Sequence, residues 1–122
     1  MFLVKQQGSV RHYYINNGVY QGFGCQVFDG ERFKGQPLLS SKVLKTRIDN
    51  EQTSFIWGQT CDGVDYLTKE SKFPYMERGE WIIYRNMGAY NESTECKFNG
   101  FELPKTYYIQ WDFNSYKDSN YF

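Results

Sequence analysis

The pair Asn17-Gly18 constrains the fold of this 122-residue chain more than any other feature. Asn-Gly is the strongest short hairpin signal, because both central residues of a type I′ turn need positive φ. It predicts a strand over residues 12–15 and a returning strand over residues 19–28. In the second run Phe23, Cys25 and Val27 alternate with Gly24, Gln26 and Phe28 at a period of two. Gly22 and Gly24 weaken that strand and mark a bulge or a close approach to another backbone or ligand. Asp29-Gly30 closes it. A polar loop with Gly35 and Pro37 follows over residues 31–41, and residues 42–48 alternate as a one-face strand. Residues 54–57 read as a short buried strand, and residues 64–75 are mixed and end at Phe73-Pro74. Residues 81–84 are the most apolar strand, and residues 102–110 carry Pro104 near their start. With no long 3.6-residue stripe, internal repeat or low-complexity segment, the expected architecture is an all-β sandwich or barrel-like domain.

The length fits one domain spanning residues 1–122, large enough to bury a real core. Fourteen basic and 14 acidic residues give zero formal charge, which argues against a nucleic-acid or anionic-membrane surface. No segment approaches the ~20 apolar residues of a membrane helix. The opening Met1-Phe2-Leu3-Val4 lacks the basic start and apolar run of a signal peptide. Cys25, Cys61 and Cys96 are an odd set with no close pairing, which suits a reducing, cytoplasmic compartment. His12 stands alone as histidine, so no His-rich metal site is expected. Asn91-Glu92-Ser93 matches a glycosylation acceptor, a triplet common by chance. Aromatics make up 20% of the residues, suited to half-buried strand surfaces or to a binding surface.

The chemistry concentrates in Trp57-Gly58-Gln59-Thr60-Cys61-Asp62-Gly63. A thiol stands beside a carboxylate at a glycine turn, and a turn between short strands pushes both out of the sheet. A buried free cysteine beside an ordinary turn aspartate is the plainer reading of these residues alone. Other blocks follow in order around it. They are residues 13–20 (Tyr-Tyr-Ile-Asn-Asn-Gly-Val-Tyr), Phe28-Asp29, Gly88-Ala89-Tyr90, and Phe98-Asn99-Gly100-Phe101 with Tyr107-Tyr108. Together these blocks, from residue 13 to 111, resemble the C-terminal β domain of the ornithine decarboxylase family. That family uses pyridoxal 5'-phosphate (PLP) and has an alanine-racemase-like barrel. Residues 112–122 are a tail that adds little.

The resemblance implies a cytoplasmic homodimer that converts ornithine to putrescine at the head of polyamine synthesis. Asp29 and Asp62 then recognise the distal ammonium, one from each subunit, through charge-assisted hydrogen bonds. Cys61 lies over the neighbouring cofactor and controls protonation after carbon dioxide leaves; a thiol suits such transfer. Tyr90 resembles the cofactor-phosphate tyrosine, Phe98 a ring of the substrate channel and Tyr20 another active-site tyrosine. Each of the three is also readable as a core or interface aromatic, and Asp29 as the first residue of a turn. Phe28 departs from the family's usual tyrosine and loses a hydroxyl at the subunit boundary. Nothing here resembles the family's Schiff-base lysine or its barrel, which lie upstream, so the expectation is a fragment, truncated product or partial paralogue, inactive alone. The partners implied are the N-terminal PLP barrel, a second subunit and, as a further candidate, antizyme. A non-catalytic relative resembling antizyme inhibitor and an unrelated aromatic-rich binding module are the other two readings.

Overall fold

The computed structural model describes residues 3–88 and 90–110; Ala89 and the expected tail at 112–122 lie outside the described residues. Strands β1 (Leu3–Gln7) and β2 (Val10–Tyr14) form an antiparallel hairpin turning at Gly8, where φ is 59°. Strand β4 (Gln52–Trp57) runs parallel to β2, pairing His12 with Phe55 and Tyr13 with Ile56. Strand β5 (Tyr66–Phe73) returns antiparallel, giving the sheet order β1-β2-β4-β5. Opposite Phe55 the register slips and Glu70 takes φ 50°, a bulge that bends the β5 edge. Strands β3 (Gln36–Leu38) and β6 (Trp81–Ile83) make a separate two-stranded ribbon. The class is all-β with few helices, as expected, and the described strands do not close into a barrel.

One face of the large sheet carries the core. Tyr13, Ile56, Leu67 and Phe73 point to it at a strand period of two, and Ile15, Val19, Phe23 and Met76 cover them. The buried Tyr13 hydroxyl donates to the Pro74 carbonyl at 3.0 Å and accepts from the Met76 N–H and Arg11, each at 3.2 Å. The opposite face stacks His12, Phe55 and Trp57, and the Trp57 indole N–H donates to His12 Nδ1 at 3.0 Å.

Three local expectations are corrected. Asn17-Gly18 makes no hairpin: neither residue has positive φ, and β2 pairs with β1 and β4 instead. Gly18 serves a close approach, because a Cβ there would stand 2.1 Å from the Asp65 carboxylate. The predicted strand over 19–28 is a tight loop followed by a one-turn helix, α1 (Cys25–Phe28). Its entry is set by Gly24, whose Cβ would meet Thr94 Oγ1 at 1.8 Å. The predicted strand over 42–48 is helix α2 (Ser41–Ile48). Its half-buried positions are Val43, Leu44 and Arg47, the i, i+1, i+4 spacing of a helix face. Ser40 caps it, the hydroxyl accepting from the Val43 N–H at 3.4 Å. Arg47 fastens the helix to the next turn through Glu80 at 2.7 Å and Glu77 at 3.2 Å.

Asp65 ties the loops at one end of the sheet together. It is 1% exposed and accepts from the Val19 N–H at 3.0 Å, the Thr60 N–H at 2.9 Å and the Thr60 hydroxyl at 2.7 Å. Its backbone closes the turn, with Gly58 N–H donating to Asp65 O at 2.8 Å and Asp65 N–H to Asp62 O at 3.0 Å. Asp65→Asn keeps the size but turns an acceptor into a donor facing N–H groups. It is expected to lower the unfolding free energy by about 2–4 kcal/mol in urea titration followed by circular dichroism. Gly58→Ala should act in the same direction, since its Cβ would lie 2.0 Å from Asp65 Oδ1. A loss under about 0.5 kcal/mol for Asp65→Asn would show that the carboxylate is not what fixes the turn.

Candidate functional site

Two groups of side chains follow from this loop architecture. The first stands on the turn between β4 and β5. Because Asp65 holds Val19 and Thr60 together, Tyr20 is delivered beside Asp62. The Tyr20 hydroxyl donates a short hydrogen bond to Asp62 Oδ2, and the Val64 N–H donates to Asp62 Oδ1 at 3.0 Å. The bond to Asp62 is the main reason the Tyr20 hydroxyl is pushed up to about 12. The same bond, with the Val64 N–H, holds the Asp62 carboxyl below the ordinary aspartate range. Asp62 is therefore an ionised acceptor whose orientation is fixed.

A second loop docks on this pair. Cys96 N–H donates to Tyr20 O at 2.9 Å, and the Phe98 ring stacks on Tyr20 with centroids 4.2 Å apart. The next residue, Asn99, donates from Nδ2 to Cys61 Sγ at 3.2 Å. Cys61 is exposed, and Asp62 and Tyr20 are half-buried. The thiol stands on a loop outside the sheet core. Four predicted residues, Tyr20, Cys61, Asp62 and Phe98, thus come together on one wall.

Asp29 and Tyr90 form the other group. They line a recess of about 400 Å³ with Cys25, Glu31, Phe33, Asn86 and Asn91. Asp29 caps the C-terminus of α1, its N–H donating to Cys25 O at 2.9 Å. Tyr90 is 75% exposed and held at φ 58°, with Asn86 at φ 60°. Left-handed backbone at a bulky residue marks a constrained turn. Buried Asn91 pins that turn, accepting from the Cys25 N–H at 3.4 Å and donating to Met87 O at 3.2 Å. Burial, and then the neighbouring Asp29 carboxylate, push the Cys25 thiol up from its ordinary value.

The charge pattern decides what this recess suits. Two carboxylates face it and no lysine or arginine is among its described lining residues, so it favours a cation. For a phosphate the described lining side chains offer only neutral donors, the Tyr90 hydroxyl and the Asn86 and Asn91 amides. The described residues therefore fit the PLP phosphate only in part, and its counter-charge must come from elsewhere. No cluster of three His, Cys, Asp or Glu able to hold a metal occurs among the described residues. Nor is any described helix long and apolar enough to cross a membrane.

Sequence reasoning missed Asn99, Asp65 and Asn91. Asn99-Gly100 is visible as a turn pair beside Phe98, and Asp65 stands two residues beyond the Trp57 to Gly63 block, but only the fold gives either a partner.

The model of the family described as "Pyridoxal-dependent decarboxylase, C-terminal sheet domain" matches residues 2–88. The chain is 40% identical over 97 residues to ornithine decarboxylase of Panagrellus redivivus, covering 80% of this chain and 21% of that protein. It is 38% identical over 96 residues to antizyme inhibitor 2 of Xenopus laevis, covering 79% and 20%. Its fold is similar to the crystal structure of the Paramecium bursaria Chlorella virus arginine decarboxylase, with a TM-score of 0.79 and 27% identity over 88% of this chain and 28% of that one. The chain spans about a fifth of the length of these curated relatives. The five sequence blocks, the open sheet and the family match agree: the chain belongs to the pyridoxal-dependent decarboxylases and carries their C-terminal sheet domain.

Proposed function

We propose that this domain is the C-terminal part of a PLP-dependent decarboxylase that converts ornithine to putrescine, in the cytoplasm, at a site shared between two subunits. The observation that carries the reading is the partition of the six site residues. Cys61, Asp62, Tyr20 and Phe98 form one wall, while Asp29 and Tyr90 line a separate recess. A site assembled from one wall of each subunit uses both groups.

In that arrangement the cofactor supplies the electron sink for carbon dioxide loss. This chain supplies side chains that bind the substrate and move a proton, and the barrel supplies the remaining hold on the cofactor. Asp62 and Asp29 accept hydrogen bonds from the distal ammonium of the substrate, and Asp62 is already ionised and aimed by Tyr20. Phe98 walls the substrate from water. Cys61 gives its S–H proton to the carbon that has lost carbon dioxide. Tyr90 donates one hydrogen bond to the phosphate, which the barrel otherwise holds. The 122-residue chain alone is inactive on this reading. Exposed Phe28, Trp81 and Tyr108 are surface for the barrel and the second subunit.

A second reading is a non-catalytic relative that binds antizyme. It is favoured by the near-equal identity to antizyme inhibitor 2, 38% against 40%. The presence of Cys61, Asp62 and Tyr90 favours the enzyme.

Placed behind the barrel of a related decarboxylase, Asp62→Asn should raise KM for ornithine by about tenfold or more, since a charge partner is lost in ground and transition states alike. Cys61→Ala should instead lower kcat or divert product protonation. Equal activity of these variants and the parent would favour the antizyme-binding reading.

Mixing tests the sharing. Heterodimers of an Asp62→Ala chimera with an Asp29→Ala chimera contain one intact site if the two carboxylates come from different subunits. Activity is then regained, whereas a one-subunit site gives no rescue.

The Tyr20–Asp62 bond also sets a pH window. Tyr20, raised when folded, adds stability below pH ~10 that is lost as pH rises through about 12. Asp62, lowered when folded, adds stability above its ordinary range that is lost as pH falls through the depressed value. Tyr20→Phe should remove the alkaline dependence and reduce the acid one, since the Val64 N–H still holds Asp62, read as a flat stability–pH curve at high pH and a shallower one at low pH.

A further inference from the structure

We propose that Asn99 is a positioning residue for Cys61: its side-chain amide fixes the sulfur and holds it as a hydrogen-bond acceptor. The inference rests on the reading of Cys61 as proton donor for its use, but not for its geometry. Asn99 Nδ2 lies 3.2 Å from Cys61 Sγ, a close contact for a nitrogen–sulfur pair.

The amide is held in place from several sides. Asn99 sits at φ 56° and ψ 21°, in the turn Phe98–Gly100, with Gly100 following at φ 75°. The turn is closed by Gly100 N–H donating to Lys97 O at 3.1 Å and Phe101 N–H to Phe98 O at 3.3 Å. Lys97 Nζ and Glu102 Oε2, 2.6 Å apart, clamp its ends. Phe98 anchors it by stacking on Tyr20. The dipeptide Phe98-Asn99 therefore gives one side chain to Tyr20 and the next to Cys61.

Asparagine suits this position for two reasons. It tolerates left-handed backbone better than most residues, and it carries an N–H donor that glycine and aspartate lack. The donor matters to the chemistry of sulfur. When Cys61 gives up its proton, the S–H bond breaks, a C–H bond forms, and the electron pair stays on sulfur. An N–H aimed at that sulfur binds the resulting thiolate more strongly than the thiol, because the bond becomes charge-assisted. The same donor favours the thiolate, which is the species that reacts with an alkylating reagent.

The test uses the full 122-residue chain and iodoacetamide, a neutral reagent that a new charge neither attracts nor repels. Alkylation rates at fixed neutral pH are read peptide by peptide by mass spectrometry, with exposed Cys96 as the internal standard. Asn99→Gly keeps the left-handed backbone and deletes the amide. Asn99→Asp keeps the size and replaces the donor by a carboxylate. Cys61 should react about three- to tenfold more slowly in Asn99→Gly and more slowly still in Asn99→Asp, while Cys96 is unchanged. A Cys61 rate within about twofold of the parent, or faster, overturns the assignment. So does a parallel change at Cys96, which would mean that the turn has loosened. Should Asn99→Gly fail to fold, Asn99→Asp carries the test by the same criteria. Neither ornithine nor cofactor is present, so failure of the decarboxylase reading leaves this result standing, and the reverse holds as well.

Discussion

The candidate site depends on one buried carboxylate. Asp65 accepts two backbone N–H groups and a hydroxyl, and two glycines, Gly18 and Gly58, exist where they do because the carboxylate occupies the space a Cβ would need. A buried charge is costly unless its lone pairs are filled. Filling them from Val19 on one loop and Thr60 on another locks the two loops in register. Every first-wall contact is downstream of that lock. Tyr20 follows Val19, Cys61 and Asp62 follow Thr60, and Phe98 and Asn99 then dock on the pair.

Much of this was legible in the sequence, though for reasons the sequence states incompletely. Each of the five blocks gives at least one residue to the wall or the recess: Tyr20, Asp29, Cys61 with Asp62, Tyr90 and Phe98. The strands at 54–57 and 81–84 were visible as apolar runs that lie in β4 and β6. Residues 42–48 misled because a short run of alternating Leu, Lys, Thr and Arg fits period two as well as a helix. The decision came from Ser40, a cap whose partner is three residues away. Asn17-Gly18 misled more instructively. A glycine can be required by a dihedral or by a neighbour, and here the neighbour is 47 residues along the chain, Asp65. No local rule separates the two cases.

The recess around Asp29 was legible only as a turn aspartate in the right place. Its other acid, Glu31, and the pin Asn91 contribute through space, and neither has a sequence signal of its own. The same holds for Asn99, whose value lies in a left-handed conformation that aims an amide at a sulfur 38 positions away in sequence.

The exposure of the working groups carries a physical consequence. Cys61, Asp29 and Tyr90 all face solvent, where a charge pair at contact distance is worth only about 1 kcal/mol, against several in a partly dry site. On the proposed reading a covering surface is what makes them effective, and the ring of Phe28, 70% exposed beside Asp29, is apolar area for such a surface to bury. Asp62 differs, because it is already engaged. An ionised carboxylate offers about four lone-pair positions. Tyr20 fills one on Oδ2 and Val64 one on Oδ1, so an ammonium can bind without displacing either. The cation would then meet a carboxylate whose ionisation and direction are fixed beforehand by its own chain, and the ordering cost of that half of the site is met on folding rather than on binding.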